Sequence, residues 1–334
     1  MRLKKYTFFS LLLITLIGVF VYTQINEKYT LDIFGVPLTL PVAVWVVIPL
    51  LILYFASLFH MAFYSFKSYL HSRNLKKDFS SLIDSLYFAI FKEPKIHKYH
   101  TDEYAQVGEV TDRSEITLKA LDYEFGNEKI KKAAETIKKI EDGNYVEIKD
   151  IKFSPDNPIY IKNIENKIAS EPTYCGVILK KCEEFPKDLC KKALRKYIEF
   201  ADLSQIKNYA DLFDRDILFD LLKAAVKDEN RLKISVDDIL FFCQKTDMKQ
   251  SDYIDLAKIV KKLLQPDERL QLFEKLKEQD EKAEAAYIYT LLDLEMVERA
   301  AEVLENSEED EFLNFKAYLD LKNIGKNYHI ELFI

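Results

Sequence analysis

The chain has 334 residues, carries 48 Lys or Arg against 55 Asp or Glu for a formal charge of −7, and holds only 7 glycines beside 23 Phe and 20 Tyr. No glycine stands in a Gly-x-Gly or Gly-Lys-Ser/Thr setting, and neither a Gly-x-Ser-x-Gly elbow nor a His-Glu-x-x-His pair occurs, which excludes the common phosphate-cradling, esterase and zinc-hydrolase signatures. The acidic balance also argues against non-specific nucleic-acid binding.

Two apolar stretches come first. The first runs over about residues 7–25 without a charged side chain, and the second over about 38–64 with only His60 near its end. Each is as long as the roughly 20 residues that cross about 30 Å of hydrocarbon as a helix, so a two-span transmembrane hairpin is predicted. The start, Met1-Arg2-Leu3-Lys4-Lys5, is basic, and Lys67, Arg73, Lys76 and Lys77 follow the second span with only Asp78 against them. Basic flanks stay inside, which places both chain ends in the cytoplasm and the protein, multi-pass, in a bacterial inner membrane. A cleaved signal peptide is the competing reading of the first stretch. The length of the run, the lack of a small-x-small site after Val19-Phe20-Val21-Tyr22 and the immediate second span oppose it. Pro41 suits the start of the second helix, and Pro49 suits a bend within it.

Between the spans, Tyr29, Leu31 and Ile33 alternate as a short extended piece, Gly35 suits a turn, and Pro41 starts the next helix. With Gln24-Ile25-Asn26 closing the first span, the Phe34-Gly35 turn and the basic residues after the second span, residues 5–80 resemble the lipopolysaccharide assembly protein A family. Members of that family carry small residues, often glycines, in the second span, where this chain offers Ala56 and Ser57. The resemblance implies a role in envelope assembly. There a similar hairpin protein works with a separate membrane-anchored tetratricopeptide protein and a membrane-bound protease; this chain looks as though anchor and repeat domain were joined. It lacks that repeat partner's Cys-x-x-Cys pairs.

The domain plan that follows is a hairpin with its basic flank over 1–77, an amphipathic helix and linker over 78–111, and a helical domain over 112–334. From Asp78, a possible cap, to Phe91, the residues Phe79, Leu82, Ile83, Leu86, Tyr87 and Ile90 share one helix face, and Pro94 ends the pattern. That face lies either on the inner leaflet or in the soluble domain. Residues 92–111 have no sustained period and read as a linker. Ile116 to Phe125, a Gly126-Asn127 break and Glu128 to Ile140 resemble one tetratricopeptide-type helix pair. After an interruption over 145–158, helices are predicted over 159–170, 174–184, 187–201, 204–213, 216–227, 236–244, 251–264, 266–278, 281–292, 295–304 and 308–321. Ser251, Pro266 and Pro186 serve as start signals. Short helices with short connections and no strand runs predict an all-α fold, with the hairpin followed by a cytoplasmic α-solenoid; a compact bundle is the alternative.

Charge is uneven: residues 101–334 hold 37 Lys or Arg and 50 Asp or Glu, whereas the first 100 residues carry 11 and 5. The runs Glu278–Glu284 and Glu305–Glu311 read as solvated faces, with docking of a basic partner as the alternative. Cys175, Cys182, Cys190 and Cys243 form no Cys-x-x-Cys pair and read as reduced thiols, Cys175 and Cys182 on one helix face. His97 and His100 beside Asp102 are the only residues that suggest a metal, and His60 suits the headgroup level; no catalytic, cofactor or metal site is assigned.

The expected function is therefore that of a non-enzymatic adaptor, chaperone or scaffold. It is held in the lipid bilayer, binding other inner-membrane or cytoplasmic proteins, no nucleic acid and no cofactor, with homo-oligomers allowed. The client is an envelope-assembly protein or a machine such as the flagellar motor, a secretion apparatus or a transporter. A permanent structural subunit and an enzyme with an unrecognised site are the alternatives. Given the abundant Tyr and Phe, the concave face of the array is expected to carry a patch of exposed aromatics.

Overall fold

The computed structural model describes residues 2–33 and 36–334 and is mainly helical. Two compact units are present, Met1–Thr117 and Leu118–Ile334. The first contains α1 (Arg2–Gln24), β1 (Lys28–Ile33), β2 (Val36–Pro41), α2 (Val42–Ile90) and α3 (Asp102–Thr111).

Both α1 and α2 contain segments long and apolar enough to cross a membrane. Their outer faces present Phe8, Phe9, Leu16 and Phe20 from α1 and Ile52, Leu53, Phe59 and Phe63 from α2, all exposed. An apolar surface of this extent on a chain needs a lipid or protein cover. The helices pack on each other through Tyr6 and Tyr54, whose rings stack at 6.2 Å. They approach closely where Gly18 faces Val47: a Cβ at Gly18 would lie 3.0 Å from Val47 Cγ2. The small residues at this contact are Gly18 of the first helix and Ala43 of the second, while Ala56 is exposed.

The extended piece between the spans is half of a two-stranded antiparallel sheet, in register from Lys28↔Pro41 to Ile33↔Val36. The Phe34-Gly35 turn lies outside the described residues. A lone ribbon is marginal in water; here Thr30 and Thr39 bond at 2.8 Å across it, the Val42 N–H donates to Glu27 O, and the Trp45 indole donates to Tyr29 O at 3.0 Å.

Pro41 precedes α2 as expected, and the helix tolerates Pro49 in its interior. In all it runs for 49 residues, roughly 70 Å at about 1.5 Å per residue. The separate helix expected from Asp78 is therefore the distal part of α2, and Asp78 is a buried interior residue rather than a cap. No Gly or Pro occurs between Pro49 and Pro94, so nothing in the basic stretch stops the helix. The expected linker includes α3.

In the second unit, α4 (Glu128–Glu141) forms with Asn127 capping it, but the first helix of the tetratricopeptide-like pair does not. Where the two units meet in sequence, exposure alternates residue by residue from Ser114 to Leu118, as in extended chain, and within the first unit the Ile116 N–H donates to Ala89 O at 3.0 Å. Period 2 prevailed over the helical reading. There follow α5 (Pro158–Ser170), α6 (Cys175–Lys180), α7 (Lys187–Ile198), α8 (Leu203–Lys207), α9 (Arg215–Lys227), α10 (Val236–Gln244), α11 (Gln250–Val260), α12 (Pro266–Gln279), α13 (Glu284–Asp293), α14 (Val297–Glu305) and α15 (Leu313–Asn323). The expected helix over 174–184 is broken at Lys181, that over 204–213 ends early in a 3-10 turn, and 308–312 lies outside α15. The cap at α11 is made by Lys249 and Asp252, with Ser251 inside the helix.

Major contacts join helices near in sequence: α5 to α7, α7 to α9, α9 to α11, α11 and α12 to α13, α13 to α14, α14 to α15. One apolar core runs from Ile164 to Ile330. Its centre is α13, buried from Ala285 through Leu292 with Tyr287 and Tyr289 inside, as expected of a helix that is apolar all round. Phe213 stacks on Phe242 at 4.4 Å within the same core.

Candidate functional site

The histidines that suggested a metal face two different carboxylates. After α2, residues 92–101 fold back along it as a strap. The His97 N–H donates to Asp112 Oδ2 at 2.8 Å and its Nδ1 lies 2.8 Å from Asp112 Oδ1. At His100 the backbone N–H donates to both Asp78 oxygens at 3.0 Å, and Nδ1 lies 2.9 Å from Oδ1. Thr101 adds its N–H and hydroxyl to Asp78 Oδ2 at 2.8 and 2.7 Å. Burial alone would raise the Asp78 carboxyl, but the Thr101 hydroxyl, the His100 ring and the two backbone donors together hold it down to about 2. Asp112 is likewise lowered against its burial, chiefly by the His97 N–H. Tyr99 lies over Gly108, where a Cβ would sit 2.2 Å from its ring. Asp102 is exposed in the first turn of α3. Among the described residues, no three His, Cys, Asp or Glu side chains converge on a metal position. The arrangement is a clasp that fixes the strap and α3 on the distal part of α2.

The thiols also depart from expectation. Cys182 and Cys190 are joined in a disulfide, because the break at Lys181 turns Cys182 off the α6 face and toward α7. Cys175 and Cys243 are free and buried, and burial pushes their thiols up to about 11 and about 12, which makes them inert packing groups.

In the second unit the shifted carboxylates are also structural. Burial alone would raise Asp293, Asp238 and Asp214. Lys261 and Arg269 hold Asp293 below the ordinary range, Lys207 and the Ser235 N–H hold Asp238 there, and Lys191 and the Ile217 N–H hold Asp214. Ser235 and Asp238 form a capping box for α10.

The aromatic patch expected on the array gives way to a different surface. Tyr123, Tyr145, Phe200, Phe241 and Tyr328 are exposed, and among the described residues no ring contact joins two of them; Tyr123 packs on Phe125, Phe200 on Tyr197 and Phe241 on the buried Phe242. The acidic run Glu305–Glu311 is largely exposed, as a solvated face requires. Between α7 and α9 lies a groove of about 590 Å³. Its cations are Lys192, Arg195, Lys196, Lys223, Lys227 and Arg231, its carboxylates Glu199, Asp220 and Asp228, and its apolar floor Ile198 and Ala224. Both signs are present with cations in excess, on a unit whose sequence is acidic. No spacing in the sequence announced this groove, since its lining comes from two helices and the loop after α9.

Compared with family models, curated proteins and solved structures, the chain matches none.

Proposed function

We propose that this protein is a non-enzymatic membrane adaptor or chaperone. The hairpin of α1 and α2 anchors it in a bacterial inner membrane with both ends cytoplasmic, and the helical array, a degenerate α-solenoid, holds another membrane protein while it is assembled or stabilised. The observation that carries the reading is the pairing of a lipid-suited hairpin with an array whose contacts run between sequence neighbours around one continuous core. Arrays of this kind offer long surfaces to partners. The likeness of the anchor to lipopolysaccharide assembly protein A favours an envelope-assembly client.

Supporting the non-enzymatic part, Asp78, Asp112, Asp214, Asp238 and Asp293 owe their lowered carboxyls to helix caps, ion pairs or the strap rather than to a shared cleft. Supporting the orientation, Lys67, Arg73, Lys76 and Lys77 follow the apolar part of α2, and Tyr69, Ser72, Arg73, Lys76 and Lys77 line a cavity of about 540 Å³ suited to anionic headgroups. The Cys182–Cys190 disulfide pulls the other way, because cytosolic reductants keep thiols apart; the charge asymmetry carries the placement.

Photo-crosslinking of the full chain in intact membranes tests the function. The expected result is capture of a specific membrane protein in sub-stoichiometric amounts that high-salt and detergent washing removes. Capture of nothing beyond an unactivated control contradicts the adaptor, and a wash-resistant equimolar complex replaces it with a permanent subunit.

A further inference from the structure

We propose that the groove between α7 and α9 docks an acidic segment of the client protein, one whose carboxylates are spaced along the peptide and separated by apolar side chains. The assignment rests on the adaptor reading and names the surface and chemistry it uses.

The cations of the groove are not equally committed. Arg231 caps the end of α7, donating to Ile198 O at 3.0 Å, and pairs with Asp228 at 3.2 Å. Arg195 is held among Asp214, Asp216 and Asp220 across the two helices. Lys192 and Lys196 pair with Glu165 and Glu199, but at exposed positions where such pairs contribute little and exchange readily. Among the described residues, Lys223 and Lys227 enter no ion pair, and both are exposed. They stand one turn apart on the same face of α9. In a unit, Leu118–Ile334, with 45 acidic residues and 36 basic ones, two adjacent uncommitted lysines over an apolar floor are a local reversal of sign.

The shape of the charge selects a peptide over other anions. The ends of both helices at the groove are C-terminal, through Ile198 and Glu199 of the first and Lys227 and Asp228 of the second. Their carbonyls, with Glu199, Asp220 and Asp228, repel a compact phosphate. Nucleic acid and anionic bilayers spread their charge over a wide surface and meet the net negative charge of the unit as a whole, whereas a short acidic segment meets the groove alone. A chain with carboxylates at intervals sets one against Lys223 and another against Lys227, places an apolar side chain against the partly exposed Ala224, and leaves the carboxylates of the groove between its own.

The test uses the full chain in detergent micelles and a fluorescent peptide alternating Glu with Leu. Saturable binding that weakens with salt is expected, about tenfold weaker for the double variant Lys223→Glu/Lys227→Glu. Thermal unfolding of the variant should match wild type, since neither lysine holds the fold. Absence of peptide binding, equal binding by the variant, or equal binding of the peptide with Lys replacing Glu overturns the proposal. So does binding of phosphatidylglycerol vesicles that depends on Lys223 and Lys227 in place of the peptide. Crosslinking then separates the two readings. A charge-reversed protein that captures the client as wild type does removes the groove and leaves the adaptor standing, whereas a wild type that captures nothing removes the adaptor.

Discussion

The two units treat the same side chains in opposite ways. In the hairpin, Phe20, Leu53, Phe59 and Phe63 are 65, 67, 71 and 65% exposed, whereas in the array Leu256, Phe273 and Tyr289 are fully buried. The array makes its own apolar interior, with helices packed on sequence neighbours around α13. The hairpin has too few elements to do so, and its outer faces need a cover of lipid or protein. An apolar residue therefore reports stability in one unit and solvent in the other.

That contrast breaks most sharply under truncation. Phe273→Ala removes a fully buried ring and should cost about 3–5 kcal/mol in denaturant unfolding of the detergent-solubilised chain. Phe59→Ala removes a ring that touches little protein and should cost under about 1 kcal/mol in the same measurement. Similar losses at the two positions would show that the hairpin has an interior of its own.

The next effect lies where polar groups, not apolar ones, fasten the chain. Asp78→Ala deletes the acceptor for the His100 and Thr101 donors and should cost about 3 kcal/mol, read as faster amide exchange over residues 97–112 with the array unchanged. The same carboxylate sets a pH dependence. Its folded value of about 2 lies below the ordinary 3.8, so its contribution is complete above the ordinary value and is lost as pH falls from about 4 toward 2. Exchange at the His100 and Thr101 amides, corrected for the intrinsic rate, should rise across that window and be flat from pH 5 to 7. A rise already between pH 5 and 7 would contradict the assignment of the clasp to this carboxylate.

Much of the architecture was legible because it rests on local signals. Unbroken apolar runs marked the two long helices, Pro41 marked the entry to α2, and Pro266 marked the start of α12, which begins where expected. The continuity of α2 was obscured by its basic stretch, although the lack of Gly or Pro up to Pro94 was the signal for it. The strap left no period to read: His97, Tyr99, His100 and Thr101 acquire meaning only from Asp78 and Asp112, more than ten residues away. The disulfide was equally hidden, since it depends on the helix break at Lys181. Ile116 to Phe125 misled because its apolar residues fall at helix-like spacings although the chain is extended to Leu118 and turns beyond it. The groove was invisible for the reason most surfaces are: its residues come from separate elements, and its distinction is which lysines lack partners.

The orientation of the anchor can be measured with reporter fusions at the C terminus of the full chain in living bacteria. Alkaline phosphatase, which folds only outside the cytoplasm, should be inactive there, and green fluorescent protein fused at the same end should fluoresce because it stays in the cytoplasm. Active phosphatase on a dark fluorescent-protein fusion would put the array on the outer side, in keeping with a Cys182–Cys190 disulfide, and would contradict the account of an inward-facing adaptor.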